Sequence, residues 1–134
     1  MIGWIKIESF CQSTESEEKV LKALKNLCDV QFKEETTVGH YGNPIGVFKA
    51  KIKDKKKIKD SLTFLNETDM KPVDSIGEKI DRKGRFHLRL DKQKLYAGDY
   101  ALDAKGDVHI TIKFITYPLK RNKVIKNVQK ILGN

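Results

Sequence analysis

From Arg85 to Asp91 the side chains alternate with a period of two: Phe86, Leu88 and Leu90 fall on one side, Arg85, His87, Arg89 and Asp91 on the other. That period predicts a strand with one face in a core and one in water, and the wet face carries guanidinium and imidazole donors. Val108, Ile110, Ile112 and Phe114 alternate with His109, Thr111 and Lys113 and predict a second such strand. Between Ile45 and Lys53 the same alternation sets Phe48, Ala50 and Ile52 against a ladder of Lys49, Lys51 and Lys53. Ile2 to Cys11, which mixes β-branched and aromatic residues, and Val30 to Val38 complete the predicted strands.

Other stretches repeat near 3.6 residues. Val20, Leu21, Leu24, Leu27 and Cys28 make one buried helical stripe, and the preceding Thr14-Glu15-Ser16-Glu17 fits a capping box with Thr14 as the cap. Asp54 is placed to cap a second helix running to residue 66, with Ile58, Leu62 and Leu65 inward. Pro118 opens a last helix in which Ile125, Val128, Ile131 and Leu132 recur at helical spacing. The connections are chemically marked. Gly39-His40-Tyr41-Gly42-Asn43-Pro44 reads as a turn between the second and third strands, and Asp81-Arg82-Lys83-Gly84 as a hairpin turn into the Arg85 strand. Residues 67–80 read as a loop with one short helical turn, and Leu95 to Gly98 as a helical turn closed by glycine. The order β-α-β-β-α-β-β-α indicates an α+β fold: a single, mostly antiparallel sheet with helices on one face, in one domain over residues 1–134.

Charge sharpens the picture. The net charge of +9 is regional: residues 1–46 sum to −2 and the remainder to +11. Such asymmetry favours an electrostatic binding surface over a uniformly basic exterior, and nucleic acid is the commonest polyanion for it. Four lysines, Lys55, Lys56, Lys57 and Lys59, crowd the start of the second helix against the macrodipole. With 39% apolar residues over 134 positions, the chain can bury a core without metals or disulfides. Cys11 and Cys28 have neither metal-clamp nor redox-pair spacing and are expected to be reduced thiols. No stretch approaches the roughly 20 apolar residues of a membrane span, and no secretion signal opens the chain, so a cytoplasmic location is expected.

Most catalytic patterns are absent. Gly39-x-x-Gly42 is not a nucleotide-binding glycine loop, the three histidines lack a ligand spacing, and no zinc finger, KH clamp or RNA-recognition sheet motif occurs. No cofactor or metal is therefore expected. One enzymatic alternative stays open, a proton-transfer group in which His87 and His109 meet on adjacent strands beside Asp91. Tyr41, Tyr96 and Tyr100 are candidates for stacking on an unpaired base.

Three segments resemble a known family: Ser13-Thr14-Glu15-x-Glu17-x-Lys19-Val20, His40-Tyr41-Gly42-Asn43-Pro44-Ile45, and Arg89-x-Asp91-Lys92-Gln93-x-x-x-x-Gly98. Across residues 2–117 the chain is similar to an archaeal family of small RNA-binding, exosome-associated subunits. The resemblance implies an α+β domain like the large-subunit ribosomal protein that binds the smallest ribosomal RNA. It also carries over the motif positions His40, Tyr41, Asn43, Arg89, Asp91, Lys92, Gln93 and Gly98. The resulting expectation is a non-catalytic RNA-binding protein, an accessory factor of exosome-type RNA processing or ribosomal RNA metabolism, with exosome or ribosomal proteins as further partners. Its expected contact residues are His40, Tyr41, Asn43, Lys49, Lys51, Lys53, Arg85, Arg89, Lys92, Gln93 and Lys94. The alternative is a protein–protein assembly module that does not touch RNA.

Overall fold

The structure, a computed structural model, describes residues 2–11, 15–28, 30–38, 42, 44–62, 76–103, 105–116 and 120–133. The elements run β1 (Ile2–Cys11), α1 (Glu17–Leu27), β2 (Lys33–Val38), β3 (Pro44–Ile52), α2 (Lys55–Ser61), a 3-10 turn (Ile76–Lys79), β4 (Arg85–Leu90), α3 (Lys92–Tyr96), β5 (Val108–Phe114) and α4 (Arg121–Gly133). The five strands form one antiparallel sheet in the order β2-β3-β1-β5-β4. This is the α+β class that the alternating and helical periods predicted.

One face of the sheet is apolar. Ile5 and Ile7 of β1, Phe48 and Ile52 of β3, Phe86, Leu88 and Leu90 of β4, and the four apolar residues of β5 are almost fully buried. They meet Val20, Ala23, Leu24 and Leu27 of α1, Ile58 of α2, Leu95 of α3, and Val124 and Val128 of α4 in one cluster. Every helix therefore lies on the same side. Burying a leucine, isoleucine or phenylalanine contributes about 1.5–3 kcal/mol, so this face specifies the register of each strand: a one-residue slip would put its whole apolar set in water.

Several boundaries differ from the sequence expectation. α1 starts at Glu17 with Ser16 as its cap, its hydroxyl accepting from the Lys19 amide at 3.4 Å; Thr14 lies outside the described residues. β2 begins at Lys33 rather than Val30, and Pro44, expected in the turn, is the first residue of β3, paired with Val38. A proline is tolerated there because the first position of a strand can forgo a ladder donor. Asp54 caps α2 as expected, accepting from the Lys56 amide at 2.8 Å, and Leu65 falls outside the described residues, as do residues 63–75 and Pro118. The glycine-closed turn is longer than expected: α3 starts at Lys92, capped by Asp91, runs to Tyr96, and is followed by Gly98 with φ +94°.

A further glycine fixes the end of β4. A Cβ on Gly106 would lie 2.2 Å from the Leu90 carbonyl oxygen, so the backbone at Gly106 can close onto β4 only without a side chain there. The Gly106 carbonyl in turn accepts a hydrogen bond from Arg89. Gly106→Ala is expected to cost about 1–3 kcal/mol through overpacking, read as a lowered midpoint in urea at unchanged slope.

Candidate nucleic-acid interface

With the apolar residues committed to the helices, the intervening residues of each strand face the other way, and strand register sorts them into rows. One row runs Lys33, Lys49, Glu8, His109 and Arg89 across all five strands. The next holds Lys51, Lys6, Thr111 and His87, and a third holds Trp4, Lys113 and Arg85. Seven cations, Lys6, Lys33, Lys49, Lys51, Lys113, Arg85 and Arg89, thus share this face with two strand carboxylates, Glu8 and Glu35. Lys53 is exposed one residue past β3.

Local chemistry stiffens the β4 side. The Asp81 carboxylate closes the turn, one oxygen accepting from the Lys83 and Arg85 amides at 2.9 and 3.0 Å, and Gly84 takes the positive φ that the turn requires. The other oxygen accepts from Arg85 Nε at 2.6 Å and lies 2.9 Å from His87 Nε2. Burial pushes the Asp81 carboxyl up, but the hydrogen bonds from His87, from the Arg85 amide and guanidinium and from the Lys83 amide hold it well below the usual carboxylate range. Arg89 donates to the Gly106 carbonyl at 3.2 Å and has no carboxylate partner among the described residues. A guanidinium oriented by a neutral carbonyl keeps its charge available to an anion.

Between the two arginines the histidines meet. His87 Nδ1 is 3.1 Å from His109 Nε2, and His109 Nδ1 is 3.3 Å from Glu8 Oε1, so the chain runs from Asp81 through both rings to Glu8. Both ends accept only, so making all three contacts takes three N–H groups on two rings and leaves one positive charge on the pair. Burial lowers the His109 pKa, and Arg89 and His87 lower it further against the opposing Glu8. The predicted meeting of His87 with His109 is therefore present, but Asp91 is not its carboxylate. Asp91 caps α3, accepting from the Lys94 amide at 2.9 Å, and the flanking carboxylates are Asp81 and Glu8.

The expected contact residues divide accordingly. Lys49, Lys51, Arg85 and Arg89 come together on the open face. Lys92 does not: its side chain is only 8% exposed, and its ammonium donates to the Phe10 carbonyl at 3.0 Å and pairs with Glu15 at 2.8 Å and Asp107 at 3.4 Å. It ties β1 to α3 and is occupied internally. Gln93 and Lys94 are exposed on α3, which packs against α1 on the helix side of the sheet. His40, Tyr41 and Asn43 lie outside the described residues. The lysines opening α2 also belong to the helix layer, and so do Tyr96, which lies under the Lys22 ammonium, and Tyr100, which donates to the Asn26 carbonyl.

Lys6, Lys33, Lys113 and Trp4 were not foreseen. Trp4 carries the Lys51 ammonium 4.5 Å from its ring centroid. The alternation of Trp4, Lys6 and Glu8 with Ile5, Ile7 and Ser9 was the available signal. Three described cations of this face have carboxylate partners: Arg85 is held by Asp81 at 2.6 Å, while Lys49 with Glu35 at 3.2 Å and Lys6 with Glu8 at 3.7 Å form the more loosely held pairs. Such pairs contribute about 0–1 kcal/mol and are readily exchanged for a stronger anion.

A family model described as RNA binding matches residues 4–116. The chain belongs to this RNA-binding family. It is 38% identical to the RNA-binding protein PAB1135 of Pyrococcus abyssi, over 96% of this chain and 92% of that one. It is 28% identical to the protein MJ0213 of Methanocaldococcus jannaschii over 99% of both chains. Among solved structures, Mth689 of Methanothermobacter thermautotrophicus superposes with a TM-score of 0.88 at 32% identity, covering 98% of each chain.

Two substitutions separate scaffold from surface. Lys92→Ala is expected to cost about 1.5–3 kcal/mol, the range for hydrogen bonds to charged groups, while leaving RNA affinity of the folded protein within about twofold. Urea titration and RNA binding of the same preparation check both halves. Because the Asp81 pKa is depressed on folding, its contribution to stability is present above the ordinary carboxylate value of 3.8 and is lost as pH falls below it. Asp81→Asn should therefore lower stability at pH 7 and flatten the acid limb, measured as urea midpoints from pH 7 to pH 2.

Proposed function

We propose that the open face of the sheet is an RNA-binding surface that holds phosphates through Lys49, Lys51, Lys53, Arg85 and Arg89, joined by Lys6, Lys33 and Lys113. The observation that carries this reading is the convergence of cations from all five strands onto one water-facing side of a chain in an RNA-binding family. Arg85 and Arg89 are positioned before any ligand arrives, which lowers the ordering cost of binding. The role is non-catalytic: the protein retains RNA rather than transforming it. Its place as an accessory factor of exosome-type RNA processing or of ribosomal RNA metabolism, with exosome or ribosomal proteins as partners, is supported by the motif resemblance at Arg89-x-Asp91-Lys92-Gln93.

Affinity should fall with salt, because binding releases counterions from the RNA and that release is less favourable in concentrated salt. For single-stranded RNA, five phosphate contacts predict a slope of log K against log salt of roughly −3.5. Reversing Lys51 and Arg89 to glutamate should reduce that slope by about 1.4, at roughly 0.7 per contact, whereas reversing Lys22 and Lys25 on α1 should leave it unchanged. A slope near zero would reject the surface. Retention of a protein partner through nuclease digestion and high salt, without RNA affinity, would favour an assembly module instead.

A further inference from the structure

We propose that Trp4 is a stacking site for an unpaired base, so that the open face prefers single-stranded RNA to duplex; the proposal rests on the reading that this face meets RNA. Trp4 is the chain's one tryptophan, and it stands on the central strand β1 outside the core. Its neighbours Ile5 and Ile7 fill the apolar face, while Trp4 and Lys6 point to the opposite one, and the Trp4 side is only partly buried. The register of β1 against β5 shifts between Ile2 and Trp4, an irregularity of the kind that re-aims a side chain. Lys113 is its partner in the register, with its ammonium donating to the Lys83 carbonyl, and the Lys51 ammonium lies 4.5 Å from the ring centroid.

An indole with a lysine against its ring, on the cationic face away from the core, has the chemistry of a base-stacking platform: a flat apolar surface for the base and a cation for its phosphate. The Lys51 ammonium occupies part of that surface, but it sits on a flexible, exposed stem. A base that stacks on the ring displaces it, and the phosphate of the same nucleotide receives it. Stacking on an aromatic side chain contributes roughly tenfold to hundredfold in affinity per base, which exceeds what an exposed cation–π contact gives up. A duplex keeps its bases stacked on one another and offers only phosphates, so it gains the electrostatic part alone.

The lone tryptophan makes the test direct. A single-stranded RNA ten-mer and its blunt duplex are titrated at fixed salt, reading Trp4 fluorescence and, in parallel, anisotropy of a label on the RNA. The single strand is expected to quench Trp4 and to bind about tenfold or more tighter than the duplex. Trp4→Leu should remove that preference, weakening the single strand about tenfold while leaving the duplex within twofold and the salt slope unchanged. Trp4→Phe, which keeps an aromatic face and guards against a folding defect in the leucine variant, should fall between. Unchanged fluorescence on single-strand binding, or equal losses for both RNA forms in both variants, overturns the stacking site. If reversing Lys51 and Arg89 weakens both forms while Trp4→Phe and Trp4→Leu change neither, the phosphate surface stands and the base site falls. If the reversals also change nothing, both fall.

Discussion

The contact between the apolar side of the sheet and α1, α2 and α4 sets the direction of every other strand side chain, because successive residues point to opposite faces. Ile5, Ile7, Phe86, Leu88, Ile110 and Ile112 are each at most 2% exposed, so none of their strands can slip by one residue without a large loss of burial. Once they are placed, Lys6, Glu8, Arg85, His87, His109 and Thr111 have only the other face to occupy. The cationic surface thus follows from the core. It is a by-product of register, and its layout can be read from the pairing of five strands.

Much of this was legible in the chain. The alternation at 85–91 and 108–114 located both faces of β4 and β5, and the ladder Lys49, Lys51, Lys53 located the outer face of β3. What alternation alone could not supply was which strands lie side by side. His87 and His109 sit 22 residues apart, and only the β4–β5 register puts their rings in contact. The same holds for Lys33 and Arg89, which end one row from opposite edges of the sheet.

The errors have a common physical cause. Lys92, Gln93 and Lys94 follow β4 directly and continue its basic character, so the sequence places them with Arg85 and Arg89. The chain turns at Asp91 to start α3, however, and carries them to the helix side. Asp91 is spent on that turn as a cap, which is why the carboxylate beside the histidines comes from Asp81 instead. Short capping side chains win locally because an uncapped helix start leaves amide donors unsatisfied, worth about 1 kcal/mol at an exposed end. Trp4 is a separate case: the run Ile2 to Cys11 mixes apolar and polar residues, and the face of the indole emerges only from its parity with the buried Ile5 and Ile7.

Positive charge alone does not make a lysine a phosphate ligand; its present partners decide. Lys92 is nearly buried between Glu15, Asp107 and a backbone carbonyl, and freeing it would give up three contacts at once. Lys49 and Lys6 have carboxylate partners too, but both members of each pair are open to water, and their separation costs little. A strand of RNA also brings several phosphates to the cations of the face at once, whereas each glutamate there brings a single charge. The same opposition of forces acts on His109. Glu8 favours a proton on its ring, but burial, Arg89 and His87 oppose it and prevail, so the arginines and lysines carry the positive charge of the face.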